Sequence, residues 1–289
     1  MKRADIRVGI SGWRYAPWRG TFYPKTLTQA RELEYASRHV RSIEINGSFY
    51  STQTPGRYRH WYAQTPNDFV FAVKCPRYIT HIRRLKDVEA PLGNFFGSGV
   101  LFLREKLGPF LWQLPPNFRF EPDVVENFLR QLPKSVSEAV TAASAADRLT
   151  PEFPDGSAGS NKKLRHALEV RHHSFENPEF VELLRKYNVA LVFADTAGKW
   201  PYIEDVTADF IYIRLHGEEE IYASGYEEPS LEFWKDRLSR WRQGRQPKDA
   251  LTLTDLKPEL LPRDIYVYFD NDRKVRAPVD AERLSQMVR

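Results

Sequence analysis

The 289-residue chain has 42% hydrophobic residues, enough for a sizeable core, and 43 basic against 38 acidic residues give a formal charge of +5. That small basic excess permits an anionic partner without requiring one. A single cysteine, Cys75, excludes an internal disulfide framework. No stretch has the apolar core of a signal peptide or approaches the roughly 20 apolar residues of a membrane span, so a soluble cytoplasmic protein with no membrane partner is expected.

Short apolar runs rich in β-branched and aromatic residues recur along the chain: IRVGIS (6–11), RSIEIN (41–46), FVFAVK (69–74), FLWQL (110–114), ALEVR (167–171), ALVFAD (190–195), FIYIRLH (210–216) and IYVYFD (265–270). Between most of them lies helical spacing, as in Phe180, Leu183, Leu184 and Tyr187, or Leu231, Trp234, Leu238 and Trp241. The helix after the sixth run is the weakest, because TAGKWPYIEDVTA is short and contains Pro201. Strand and helix in alternation imply right-handed crossovers and a parallel sheet. Eight strands without a Gly-rich dinucleotide fingerprint after the first predict an α/β fold of the (β/α)8 TIM type, a single domain over 1–289. Two polar, Pro-containing excursions, near 135–165 and 243–264, interrupt the repeat without ending it.

Residues two apart on a barrel strand share a face, so the parity of the polar residues locates the site. Glu44 and Asn46 oppose Ile43 and Ile45; Lys74 aligns with Val70 and Ala72; Gln113 follows Leu111; Glu169 and Arg171 oppose Leu168 and Val170. Asp195 aligns with Leu191 and Phe193, and Asp270 with Tyr266 and Tyr268. The seventh run is the clearest, with Tyr212, Arg214 and His216 against Ile211, Ile213 and Leu215, and in the first Ser11 follows Gly9. The set should converge on the carboxyl end of the barrel, where barrel enzymes build their sites. Glu44, Glu169, Asp195, His216 and Asp270 are the candidate catalytic groups. Asn46, Lys74, Gln113, Arg171, His172, Tyr212, Arg214 and Asn271 are candidate substrate contacts. The loop GISGWRYAPWRGTFYP (9–24) adds Trp13, Arg14 and Tyr15 as a wall of the pocket, with Trp18, Phe22 and Tyr23 packed behind. A salt-bridge lattice filling the barrel is the competing explanation, although ion pairs are poor substitutes for apolar packing.

The words GISGWRYAPWRGTFYP, EINGSFY, ITH, KLGPFLWQLPP, EVRHHSF, YIRLHG and YFDND, in this order, resemble the YecE-like family, domain of unknown function 72. The resemblance spans about 9 to 285 and implies a TIM-type barrel, with no settled activity attached. Phe175 stands where the family commonly has Trp, and Asp280 where Asn often precedes the final Ala. Neither departure touches the strand-end polar set.

Carboxylates with His216 would also suit a divalent metal, but three cations compete for them, and no metal or other cofactor is expected. Metal-free acid–base chemistry fits better, with the cations holding an anionic substrate. Lys74 is open to two roles, an anion ligand or a Schiff-base amine. Cys75 has the wrong parity for the interior, and His81 in ITH stands between a mouth role and a structural one. The expectation is an enzyme of hydrolase or isomerase/lyase type acting on a phosphorylated substrate, with a nucleic-acid phosphodiester or a sugar phosphate as candidates. The competing class is a binding protein that holds a small ligand or nucleic acid and breaks no bond; salt sensitivity and turnover separate the two.

Overall fold

The computed structural model describes residues 4–255, 260–272 and 274–288. Residues 1–3, 273 and 289 of the expected domain, and 256–259 of its second excursion, lie outside the described residues. Eight strands form where the apolar runs predict them: β1 Ile6–Ser11, β2 Ser42–Ile45, β3 Val70–Lys74, β4 Leu107–Gln113, β5 His166–Glu169, β6 Ala190–Asp195, β7 Phe210–Leu215 and β8 Asp264–Phe269. They pair in sequence order, all parallel, and β8 closes on β1 through Ile6↔Ile265 to Ile10↔Phe269. Arg171, His216 and Asp270 stand just beyond the carboxyl ends of their strands.

Local chemistry sets the helix boundaries. In the helix Pro178–Tyr187 the Asn177 side chain accepts from Glu179 N at 2.9 Å, Pro178 occupies the first turn, and Asn188 ends it at φ 53°. Phe180, Val181 and Leu184 form its buried stripe. In Glu228–Arg242 the stripe is Leu231, Trp234, Leu238 and Trp241, and Trp241 meets Phe193 of β6 at 5.1 Å between ring centroids. Burying each such ring stabilises the fold by roughly 2–3 kcal/mol. Between β6 and β7 the described residues contain no helix. The segment 196–209 is instead pinned by Thr207, whose Oγ1 donates to Val189 O and accepts from Leu191 N, both at 2.7 Å.

Two apolar layers follow from strand alternation. Outward-facing Ile43, Ile45, Phe71, Val73, Leu168, Leu191, Phe193, Ile211, Ile213 and Leu215 pack under the helices. Inward-facing Ala72, Leu111, Ala167, Val192, Ala194, Phe210, Tyr212, Tyr266 and Tyr268 fill the barrel. The two tyrosines Tyr212 and Tyr268 lie 5.1 Å apart, and the Tyr268 hydroxyl meets Ser42 Oγ at 2.7 Å. Gly9 admits this close strand contact, since a Cβ there would stand 2.0 Å from Ser42 O.

Of the excursions, the first holds the helix Val136–Ala142 and a turn at Ser157–Gly159. It packs on the helix Glu89–Gly97, where a Cβ on Gly93 would reach 2.7 Å from Ala146 N. The described part of the second lies along the amino-terminal side of the barrel, where Leu253 N donates to Asp205 Oδ2 at 2.6 Å.

Candidate functional site

Arg214 of β7 is fully buried and sits at the centre of the barrel's carboxyl end. Its guanidinium reaches three strands at once. Nε donates to Glu44 Oε2 at 3.1 Å, Nη2 to Glu44 Oε1 at 2.9 Å and to Asp270 Oδ2 at 2.8 Å, and Nη1 to Glu169 Oε2 at 2.8 Å. The carboxylates have further donors: Ser11 Oγ (2.8 Å) and Tyr212 Oη (2.6 Å) on Glu44, and Gln113 Nε2 (3.0 Å) and Arg171 Nε (2.7 Å) on Glu169. Inward parity at the strand ends brings these residues together, because each is the last or next inward position on its strand.

Burial alone would raise the Glu169 and Asp270 carboxyls, but the surrounding cations outweigh it and hold both below the usual carboxylate range. For Glu169 the dominant cations are Arg171 and Arg214; for Asp270 the dominant cation is Arg214. Burial also opposes charge on Arg214, yet Glu44, Asp270 and Glu169 raise it well above the ordinary arginine value. His216 is pushed down by burial and by Arg214. Its Nε2 faces Arg214 Nη1 at 3.3 Å, which calls for the tautomer protonated on Nδ1, and Nδ1 stands 3.1 Å from Asp270 Oδ2 without hydrogen-bond alignment.

Lys74 differs from the arginines. It is 8% exposed, and among the described residues its Nζ makes no hydrogen bond or ion pair; it lies 4.4 Å above the ring of Phe49, in the helical turn Gly47–Tyr50. Burial first, and Arg214 second, lower its ammonium to about 8, with Glu44, Asp270 and Glu169 opposing in part. Arg171 spends Nε on Glu169 and lays its guanidinium over Trp200, 3.8 Å from the ring centroid, while Nη2 reaches Tyr222 Oη at 3.5 Å. His81 faces the edge of Phe49 and is pushed down to about 4 by burial, Lys74 and Arg171. It therefore belongs to the mouth as a neutral ring.

The remaining expected contacts divide. Trp13 is buried edge-on against Trp61 (5.3 Å), Tyr15 donates to Ser11 O at 2.6 Å, and Arg14 is exposed. Together with Asn46, Tyr50, Arg57 and Trp61 they line a cleft of about 380 Å³ beside the mouth. Trp18 and Tyr23 are buried behind, and Phe22 packs on them half-buried. A larger groove of about 620 Å³ lies at the opposite end of the barrel, where Arg185 is held by Asp205 and Thr254, and Arg240 by Asp236.

Three expected members do not join the interior. Asp195 points outward: β6 turns Ala190, Val192 and Ala194 inward, so Asp195 follows Leu191 and Phe193 under the helix layer and accepts from Tyr226 Oη at 2.9 Å. Asn271 has the parity opposite to Asp270, and its Nδ2 donates to Ser224 O (2.9 Å) and Asp280 Oδ2 (3.0 Å). His172 caps the short turn His173–Phe175, its Nδ1 accepting from Ser174 N at 3.0 Å. Conversely, Phe49, Trp200 and Tyr222 border the charged groups without having been singled out by parity. Trp200 had one usable signal, an aromatic beside Lys199 in the loop that replaces a helix at the carboxyl face. Cys75 is buried in the outer layer, as its parity requires.

Among the described residues no three His, Cys, Asp or Glu side chains converge as a metal-holding group. Glu44, Glu169 and Asp270 are instead engaged by Arg214 and its neighbours. None of the helices among the described residues is long and apolar enough to cross a membrane.

The architecture and site define a TIM-type barrel with an arginine-centred polar lattice at its carboxyl end. The chain belongs to the DUF72 family, described as a protein of unknown function, whose family model matches residues 7–289. It is 24% identical to the UPF0759 protein YunF of Bacillus subtilis, over 86% of this chain and 87% of that one, and 24% identical to the UPF0759 protein YecE of Escherichia coli K12, over 89% and 90%. Among solved structures, a DUF72 family protein of Thermotoga maritima superimposes with a TM-score of 0.73 at 24% identity, covering 98% of this chain and 99% of the other. One from Enterococcus faecalis gives 0.69 at 17% identity, over 98% and 95%. At these identities the structural likeness speaks for the fold alone.

Proposed function

We propose that the protein is an enzyme acting on a small anionic, phosphorylated substrate at the carboxyl end of the barrel, with Lys74 and Arg171 as the anion's ligands. One observation carries this reading. Every carboxylate of the lattice already has donors other than Lys74, which leaves a nearly buried ammonium, its Nζ still reaching the surface, without an acceptor among the described residues. Desolvating a cation without pairing it is costly, so a fold that retains one supplies a site for an incoming anion. Arg171 offers the neighbouring face of a guanidinium whose plane Trp200 fixes.

The lattice beneath supports acid–base work. His216 is neutral and next to Asp270, and it becomes a proton acceptor once Arg214 Nη1 releases its Nε2; Tyr222 packs edge-on against its ring at 5.3 Å. A small phosphorylated molecule is favoured over a nucleic-acid phosphodiester because the rings of the 9–24 loop turn inward, Trp13 and Trp18 being 6% and 0% exposed. A stacking platform for bases would present them to solvent.

Calorimetric titration with inorganic phosphate and a panel of sugar phosphates tests the reading. Binding is expected in the wild type and should weaken by about tenfold or more in Arg171→Met and in Lys74→Met, equivalent to losing one charge-assisted contact of roughly 1.4 kcal/mol or more. Wild-type protein that binds no phosphate or phosphoester would overturn it. Turnover of any panel member separates the enzyme from a binding protein that breaks no bond.

A further inference from the structure

Lys74 has surroundings that an anion ligand alone does not need. From β7 it faces Arg214, already held by three carboxylates; from β2, β5 and β8 it faces Glu44, Glu169 and Asp270, each occupied elsewhere. The turn after β2 lays the Phe49 ring beneath Nζ, and the segment after β3 brings neutral His81 edge-on to that ring. Among the described residues nothing accepts from the amine, an apolar ring borders it, and a second cation discourages its charge. A lysine so placed has an accessible neutral form near physiological pH, the condition under which an amine attacks carbon.

We infer that Lys74 is a covalent nucleophile, condensing with the carbonyl carbon of an aldehyde or ketone whose anionic group is held by Arg171. This rests on the anion-site reading above and names its substrate class, an anionic carbonyl compound. The neutral Nζ lone pair forms the bond to carbon while the carbonyl π pair moves to oxygen. Transfer of a proton from nitrogen to that oxygen gives a carbinolamine. Uptake of one further proton and loss of water give the iminium, and addition of water reverses the sequence. No oxidant or reductant takes part. With its ammonium lowered to about 8, Lys74 at pH 7 carries a neutral fraction about 200-fold that of an ordinary lysine, which outweighs the lower intrinsic nucleophilicity of a weaker base.

Reductive trapping tests the inference. The full chain is incubated at pH 7 with dihydroxyacetone phosphate, pyruvate or uncharged dihydroxyacetone in the presence of cyanoborohydride, then digested and mapped by mass spectrometry. Lys74 should be alkylated at least about tenfold faster than any other lysine with the anionic probes and slowly with dihydroxyacetone, and inorganic phosphate should protect it. In Lys74→Arg the fast adduct should vanish while the circular dichroism spectrum stays that of the wild type. Alkylation of Lys74 no faster than of exposed lysines overturns the inference. If phosphate binding measured by calorimetry persists in that case, the anion site stands and only the covalent role fails. Fast trapping without phosphate binding would have the opposite meaning, removing Arg171 as the anion's ligand and keeping the nucleophile.

Discussion

Arg214 and Lys74 point into the same end of the same barrel, yet they occupy opposite electrostatic situations. Arg214 is saturated, with Glu44, Glu169 and Asp270 all within 2.8–3.1 Å of its nitrogens, whereas Lys74 has the Phe49 ring and, among the described residues, no acceptor. The difference separates structural charge from available charge. An ion held by three counter-ions has little left to offer a ligand, and one held by none is costly to keep unless something arrives to meet it.

The largest expected effect comes from breaking the saturated side. Arg214→Met leaves two fully buried carboxylates and a partly buried one facing one another, and denaturant unfolding should show a loss of about 3–5 kcal/mol or failure to fold, as expected when one partner of a buried ion pair is removed. Glu44→Gln keeps the shape and leaves Arg214 two carboxylates, so its cost should be smaller, about 1–3 kcal/mol by the same measurement. An equal or larger loss than in Arg214→Met would show that the hub is Glu44 instead.

Lys74→Met should behave in the contrary sense, leaving stability unchanged or raising it, because it removes a nearly buried cation that makes no hydrogen bond or ion pair among the described residues. A destabilised Lys74→Met protein would place Lys74 in the lattice and erase the contrast.

The pH dependence follows from the same pair. Lys74 titrates near 8 when folded and near its ordinary value of about 10.4 when unfolded, so between these the unfolded chain binds more protons. Its contribution to stability therefore rises with pH from about 8 to about 10.4, and Lys74→Met should abolish that rise in denaturant titrations. Glu169 and Asp270 act at the other end: their depressed values give stability that is full above about pH 4.3 and is lost as the solution is acidified through their folded values. The smallest effect belongs to Trp200→Leu, which frees the Arg171 plane and should weaken phosphate binding by no more than about tenfold, a cation–π contribution of roughly 1 kcal/mol.

Most of the saturated lattice could be read from the sequence, and the reasons are local. FIYIRLH places three polar residues on one parity against three aliphatic ones, so Tyr212, Arg214 and His216 declare their face. ALVFAD does not, since both parities of β6 are apolar. The barrel interior selects its small residues, Ala190, Val192 and Ala194, and sends Leu191 and Phe193 outward, carrying Asp195 with them. Comparing side-chain size across the two parities would have caught this, because the filled interior of an eight-stranded barrel is narrower than the layer beneath the helices. Trp200, Tyr222 and Phe49 come from loops or a single helical turn, where no period constrains which way a side chain points. Their nearness to Arg171, His216 and Lys74 is a tertiary fact.

Glu44, Glu169, Arg214 and Asp270 belong to β2 and β5, and to the ends of β7 and β8, and one guanidinium joins them across the open width of the cylinder. Parallel neighbours communicate only along the sheet, one strand to the next, but this hub also joins β2, β5 and β7, which share no backbone ladder with one another. The carboxyl half of the barrel should consequently open as a unit, with the amides of β2, β5, β7 and β8 exchanging hydrogen at a common rate and the helices peeling away earlier.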